Sequence, residues 1–191
     1  MAIGRRILMR MFGCPSGLLG RLGGLILART NRRAAETAIE LLALRPGDTV
    51  LEIGFGPGVG IELLAERVRS GRVAGVDPSA EMVRQATHRN AQAIQSGRVD
   101  LRRAGADQLP FADAAFDKAL AVNSMQIWPD AMAGMREIRR VLRPGGQVVL
   151  AFTPFAGQSN DTVEAAIAAA GFGAPWIVEP EGLHCVIASK S

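Results

Sequence analysis

Cysteine and histidine are scarce: the 191 residues hold Cys14, Cys185, His88 and His184, with no Cys-x-x-Cys and no His-x-x-x-His pair. A structural zinc site or a disulfide framework needs more ligands at closer spacing, so neither is expected and no metal is assigned. Both cysteines read as reduced packing residues, which points to a cytoplasmic protein. No stretch approaches eighteen uninterrupted apolar residues, because Arg21 and Arg29 bracket residues 22–28, and Gly171, Gly173 and Pro175 break the alanine-rich stretch near the end. A membrane span is excluded. The amino terminus has arginines but no compact apolar core followed by a small-residue cleavage site, so a secretory signal is not expected. At 191 residues the chain is too short for two ordinary domains, and any site must be built within one core.

Lysine is nearly missing as well. Of 22 basic residues all but Lys118 and Lys190 are arginine, and the formal charge is +4. Seven arginines (Arg5, Arg6, Arg10, Arg21, Arg29, Arg32, Arg33) precede the first acid, Glu36, so the first 35 residues carry +7 and leave −3 for the rest. That balance argues against a nucleic-acid face spread over the domain, although the basic arm could touch an anionic lipid surface. Residues 1–44 read as a helical arm or cover. Within it 35–44 has the pattern of a helix, and Leu18, Leu22, Leu25 and Ile26 suggest a weaker one, diluted by Gly17, Gly20, Gly23 and Gly24.

From Thr49 onward short β-branched runs alternate with longer amphipathic ones, the rhythm of βαβ units and a parallel sheet. Strands are expected at 49–53, 73–77, 99–103, 118–122 and 147–152, with helices at 60–69, 79–94 and 130–142. In the last helix Ala131, Met135, Ile138 and Leu142 form one apolar stripe, and Pro144-Gly145-Gly146 ends it. After a helix at 161–170 come two apolar runs, 176–178 and 184–188. Their connection is too short for a crossover helix, so they should form an antiparallel hairpin. The expected fold is α/β: a doubly wound, Rossmann-like, seven-stranded sheet, mostly parallel, with one antiparallel strand near the C-terminus.

In such a sheet ligands bind beyond the carboxyl ends of the strands. The first strand is followed by Gly54-Phe55-Gly56-Pro57-Gly58-Val59-Gly60, whose glycines let the backbone turn sharply and let a ligand lie against it. A dinucleotide fingerprint would need its third glycine at Val59, so the spacing disfavours a nicotinamide cofactor. Asp77 ends the second strand, 23 residues beyond Gly54, and is placed to accept hydrogen bonds from ribose hydroxyls. It reads equally as a helix-start residue, with Ser79 as N-cap.

The runs Val50-Leu51-Glu52-Ile53-Gly54-Phe55-Gly56-Pro57-Gly58, Gly75-Val76-Asp77-Pro78-Ser79, Leu109-Pro110-Phe111, Phe116-Asp117 and Arg136 to Gly146 stand in an order that resembles class I S-adenosylmethionine-dependent methyltransferases. The likeness is greatest to the small-molecule branch that includes ubiquinone and menaquinone biosynthesis methyltransferases. It covers about residues 45–153. It implies S-adenosylmethionine as cofactor and 45–191 as the domain that binds it. Gly54, Gly56 and Gly58 would approach the methionine part, Glu52 would orient the loop or, through water, the cofactor's amino group, Asp77 would bind the ribose, Met82 would pack beside the adenine, and Phe55 and Pro78 would also belong to the cofactor site. Asn123 would lie near the sulfonium. Where this branch reads Gly-Asp-Ala before its Leu-Pro-Phe, the chain has Ala104-Gly105-Ala106-Asp107. Gly105 stands in place of the acid that takes the adenine amino group, Ala106 keeps a backbone N–H, and Asp107 is a candidate replacement.

Methyl transfer from a sulfonium is an in-line displacement, in which holding the reactants in line does much of the catalysis. No dedicated base is identified, and the catalytic residues stay unassigned. Trp128 and Phe155 are placed to line an acceptor pocket. The run Asn123-Ser124-Met125-Gln126 lacks the prolines and aromatic of base-modifying enzymes, and neither clustered thiols nor a carboxylate cluster is present. The expected activity is methylation of a small organic acceptor, lipophilic or not. A phospholipid headgroup acceptor at a membrane surface and a noncatalytic cofactor-binding protein stay open as alternatives.

Overall fold

The computed structural model describes residues 31–154, 157 and 160–191. The greater part of the basic arm, residues 1–30, lies outside them. In chain order the elements are α1 (Arg32–Leu41), β1 (Thr49–Ile53), α2 (Val59–Arg67), β2 (Arg72–Asp77), α3 (Ala80–Arg89), α4 (Ala91–Gln95), β3 (Val99–Arg103), β4 (Phe116–Val122), α5 (Ala131–Val141), β5 (Leu142–Phe152), α6 (Asn160–Ala169), β6 (Trp176–Val178) and β7 (His184–Ser189). The strands form one sheet in the order β3-β2-β1-β4-β5-β7-β6. The first five pair in parallel, and β7 runs antiparallel to both β5 and β6. The expected single reversed strand is therefore β7. No helix among the described residues is long and apolar enough to cross a membrane.

Strand period sorts the core into two layers. Val50, Leu120, Val122, Val149 and Ala151 face one layer with α1 and α2. Leu51, Ile53, Ala119, Ala121, Val148, Leu150 and Phe152 face the other, with α5 and α6. Both sheet edges are blunted. Asp100, Arg102 and Arg103 of β3 are exposed, and β6 is only three residues long.

Local differences from the sequence reading have identifiable causes. The helix expected over 79–94 breaks at Asn90, whose Nδ2 donates to Ala86 O at 3.0 Å and Gly58 O at 3.1 Å, tying the end of α3 to the glycine loop. Strand β5 starts at Leu142, five residues early, because Leu142 pairs with Phe116 before an irregularity in the register. Helix α1, grouped with the arm in the sequence, lies in the first core layer. Its Ala34, Ala35, Ala38 and Ile39 are buried, and three small side chains let it approach the sheet closely.

Two of the recurrent runs act as staples. Asp117 accepts the Thr49 N–H at 2.8 Å and pairs with Arg143. Arg140 carries more: its guanidinium donates to both carboxylate oxygens of Glu137, to Asp113, and to the carbonyls of Leu109 and Phe111, while Glu137 also accepts the Leu109 N–H. This fork fixes residues 109–113 against α5. Arg140→Ala is expected to lower unfolding stability by about 2 kcal/mol in urea titration, since it leaves partners on two segments unpaired. Arg140→Lys should recover less than half of that, because a point charge cannot fill a planar fork. An unchanged midpoint in Arg140→Ala would remove the staple from the account.

Candidate active site

A cavity of about 340 Å³ opens at the carboxyl ends of β1, β2 and β4. Of the residues expected at the site, Glu52, Gly54, Phe55, Gly56, Asp77, Pro78, Met82, Gly105, Ala106, Asn123 and Trp128 line it. Gly58 and Asp107 do not, and Phe155 lies outside the described residues. The sequence reading missed Asn31 and Ala35 of the α1 region, Ser124, Ile127 and Pro129, which also form its wall.

The glycines have separate tasks. Gly54 (φ +75°) touches the loop after β4: a Cβ there would stand 2.4 Å from Ser124 Cβ. Ser124 is itself fixed by donating to Ile53 O at 2.8 Å. Gly58 (φ +82°) is the N-cap of α2, and a Cβ there would meet Ala86 Cβ at 2.7 Å. The third glycine thus seats the loop on α3 instead of facing the cavity.

Asp77 is buried and held on both oxygens. Oδ2 accepts the Gly56 N–H at 2.9 Å and Oδ1 the Ser79 N–H at 2.8 Å, while Ser79 Oγ caps α3 by accepting the Met82 N–H at 3.3 Å. The ligand reading and the helix-start reading of this segment are therefore compatible. Burial raises the Asp77 pKa, opposed by the two N–H bonds.

Glu52 is stranger. It sits in β1 between apolar neighbours, only 4% exposed, with its carboxylate against Gly60, where a Cβ would fall 2.2 Å from Oε1. Its Oε2 has no hydrogen-bond partner among the described residues. Burial, helped by the Asp77 charge, pushes its pKa up to about 8. A buried acceptor aimed into a cavity suits a cationic or N–H-bearing ligand group.

At the other end Asn123 holds φ +48° and is fully engaged. Its N–H donates to Ala151 O at 2.8 Å, its backbone oxygen accepts from Gln126 Nε2 at 2.8 Å, and its Oδ1 accepts from Thr153 N at 2.8 Å and Oγ1 at 3.1 Å. The Trp128 ring lies on Gly134 of α5, where a Cβ would be 2.7 Å from the indole. Asp107 is exposed, but its Oδ1 lies 2.4 Å from where a Cβ on Gly105 would be, so its carboxylate occupies the space of the missing side chain. Met82, 1% exposed, serves the core and the cavity wall at once.

Glu52 yields a pH test. Its ordinary value is 4.5 and its folded value about 8, so the stability it contributes is full below pH 4.5 and is lost as pH rises through 8. Relative to Glu52→Gln, the ligand-free protein should lose on the order of a few kcal/mol across that window, read by urea unfolding at stepped pH. A difference between the two proteins that stays flat with pH would mean that the carboxylate is not buried alone.

A family model described as a methyltransferase domain matches residues 50–146. The chain is 30% identical over 133 residues to the uncharacterized methyltransferase YdaC of Bacillus subtilis, covering 70% of this chain and 71% of that one. It is 32% identical over 114 residues to the ubiquinone/menaquinone biosynthesis C-methyltransferase UbiE of Geotalea daltonii, covering 59% of this chain and 48% of that one. The chain thus spans only about half the length of that curated relative. Among solved structures, the geranyl diphosphate C-methyltransferase of Streptomyces coelicolor, bound to S-adenosyl-L-homocysteine, superposes with a TM-score of 0.73 at 19% identity, covering 95% of this chain and 87% of that one. With the motifs, the sheet order and the family match in agreement, the chain belongs to the class I S-adenosylmethionine-dependent methyltransferases.

Proposed function

We propose that the protein transfers a methyl group from S-adenosylmethionine to a small, lipophilic organic acceptor. The observation that carries this reading is the division of the cavity. Its ionisable lining side chains, Glu52 and Asp77, lie at the ends of β1 and β2, while Ala35, Val122, Ile127, Trp128 and Pro129 supply an apolar wall toward α1 and β4. One end suits an amino group and a ribose, the other an uncharged acceptor. The small-molecule methyltransferases among the relatives support an acceptor of this kind.

The chain's residues divide the work accordingly. Asp77, fixed by its two N–H bonds, presents its remaining lone pairs to the ribose hydroxyls, and Glu52 Oε2 receives the amino group of the methionine part. Met82 packs on the adenine. Asp107 stands outside the cavity lining, but its carboxylate lies against Gly105, which is part of that lining, and turns in from there to accept the adenine amino group in place of the missing acid. S-adenosylmethionine supplies the activated methyl, and the apolar wall excludes water and aligns the acceptor with it. Among the described residues, the side chains of that wall carry no ionisable group, which fits a displacement that needs alignment more than a base.

Asp77→Ala should weaken S-adenosylmethionine and S-adenosylhomocysteine roughly thirty- to a hundred-fold in calorimetry. NADH should not bind, and tight NADH binding without S-adenosylmethionine binding would sink the assignment. Asp107→Ala should cost about tenfold, and adding Gly105→Asp to it should restore most of the loss. Label transfer from S-adenosylmethionine into a fractionated metabolite extract tests the acceptor: counts in organic-phase products support a lipophilic one, counts confined to polar products overturn it, and no counts would favour a binder without catalysis.

A further inference from the structure

We propose that Asn31 is a positioning residue of this site, tying the first turn of α1 to the reaction end of the cavity. The inference rests on the cofactor reading given above. Asparagine at a helix N-cap ordinarily turns its side-chain oxygen onto a free N–H of the first turn. Asn31 does not: it has helical φ and ψ of −90° and −8° and makes no capping bond. Its Oδ1 accepts instead from Asn123 Nδ2 at 3.1 Å, 92 residues away in sequence.

The orientation of that bond is fixed from the far side. Asn123 Oδ1 is already taken by the N–H and hydroxyl of Thr153, so its amide nitrogen has to face Asn31. Asn31, Asn123 and Thr153 therefore join α1 to the ends of β4 and β5 through one amide.

The start of α1 depends on such outside help. Its first turn has no acid and opens with Arg32 and Arg33, charges that oppose the helix dipole. Arg33 pairs with Glu181 at 2.8 Å, an exposed contact of little strength. Arg32 reaches Glu62 at 3.7 Å, which also pairs with Arg89, and Arg89 Nε donates to Pro57 O in the glycine loop at 3.0 Å. The helix start thus hangs on both lips of the cavity, and Asn31 itself lines it. A ligand that steadies the ends of β1 and β4 steadies the first turn of α1 through these bonds.

Hydrogen exchange of the full chain, with and without S-adenosylhomocysteine, tests the tie. The nucleoside should slow exchange in peptides covering residues 32–41 by about fivefold or more. Asn31→Ala should abolish the slowing while affinity stays within about threefold, and Asn31→Asp, which keeps an acceptor oxygen for Asn123, should retain it. Equal slowing in Asn31→Ala, or its loss in Asn31→Asp as well, overturns the proposal. So does a tenfold fall in affinity in Asn31→Ala, which would make Asn31 a direct ligand contact. Wild-type protein that fails to bind S-adenosylhomocysteine would defeat the underlying cofactor reading, whereas binding without slowing defeats this inference alone.

Discussion

Both carboxylate oxygens of Asp77 accept backbone N–H groups, and the geometry of the cavity follows from that pair. One bond draws Gly56 of the loop after β1 toward the end of β2, and the other starts the turn into α3. Gly54 and Phe55 donate to Val76 O at the same place, so two loops that a parallel sheet leaves apart become one surface. Without a carboxylate at that point, the positive φ of Gly54 and Gly56 would serve no closure, and α3 would lose the anchor that precedes its cap. Packing of Met82 against the cavity depends in turn on where α3 begins.

Glu52 shows the opposite balance. A sheet covered on both faces asks for apolar residues at every position of a central strand, and β1 has a carboxylate there instead. Gly60 makes room for it by having no side chain. Such a group weakens the empty protein at neutral pH and above, and a cationic partner reverses the sign. Local instability and, on the proposed cofactor reading, ligand affinity are here two readings of one buried carboxyl group.

Much of this arrangement was legible in the sequence because it depends on local chemistry. Alternating apolar runs gave the strands, turn residues gave their ends, and the short connection before β7 gave the reversed strand. The glycine loop and Asp77 could be found because strand ends in such sheets face ligands. What escaped depends on contacts between distant segments. Nothing near Asn31 signals a bond to Asn123, and the break at Asn90 follows from a carbonyl 32 residues earlier. Helix α1 read as an appendage because alanines carry little hydrophobic signal, although small size is what lets it pack closely. Asp107 and Gly58 were grouped by motif with residues that line the cavity, whereas one lies over Gly105 and the other seats the loop on α3. Arg140 stood in the sequence only within the run Arg136 to Gly146, and its fork onto residues 109–113 joins segments about 30 residues apart.

The contact between Gly54 and Ser124 bears on how such a protein could acquire a new substrate. These residues meet across the floor of the cavity with no space for one further carbon, and Ser124 is bonded to the strand beneath. On the proposed reading, a larger residue on either side of that seam would push the two loops apart and disturb the cofactor before it altered the acceptor. Variation that changes specificity while sparing cofactor affinity is therefore channelled to the residues beyond Ser124 in the same connection. There Ile127 closes a single 3-10 turn, Met125–Ile127, held by two backbone bonds and belonging to no strand or α-helix, Pro129 follows it, and Ile127 is already 43% exposed. Divergence of this lineage toward different acceptors, or its redirection in the laboratory, has a route there that the glycine seam closes.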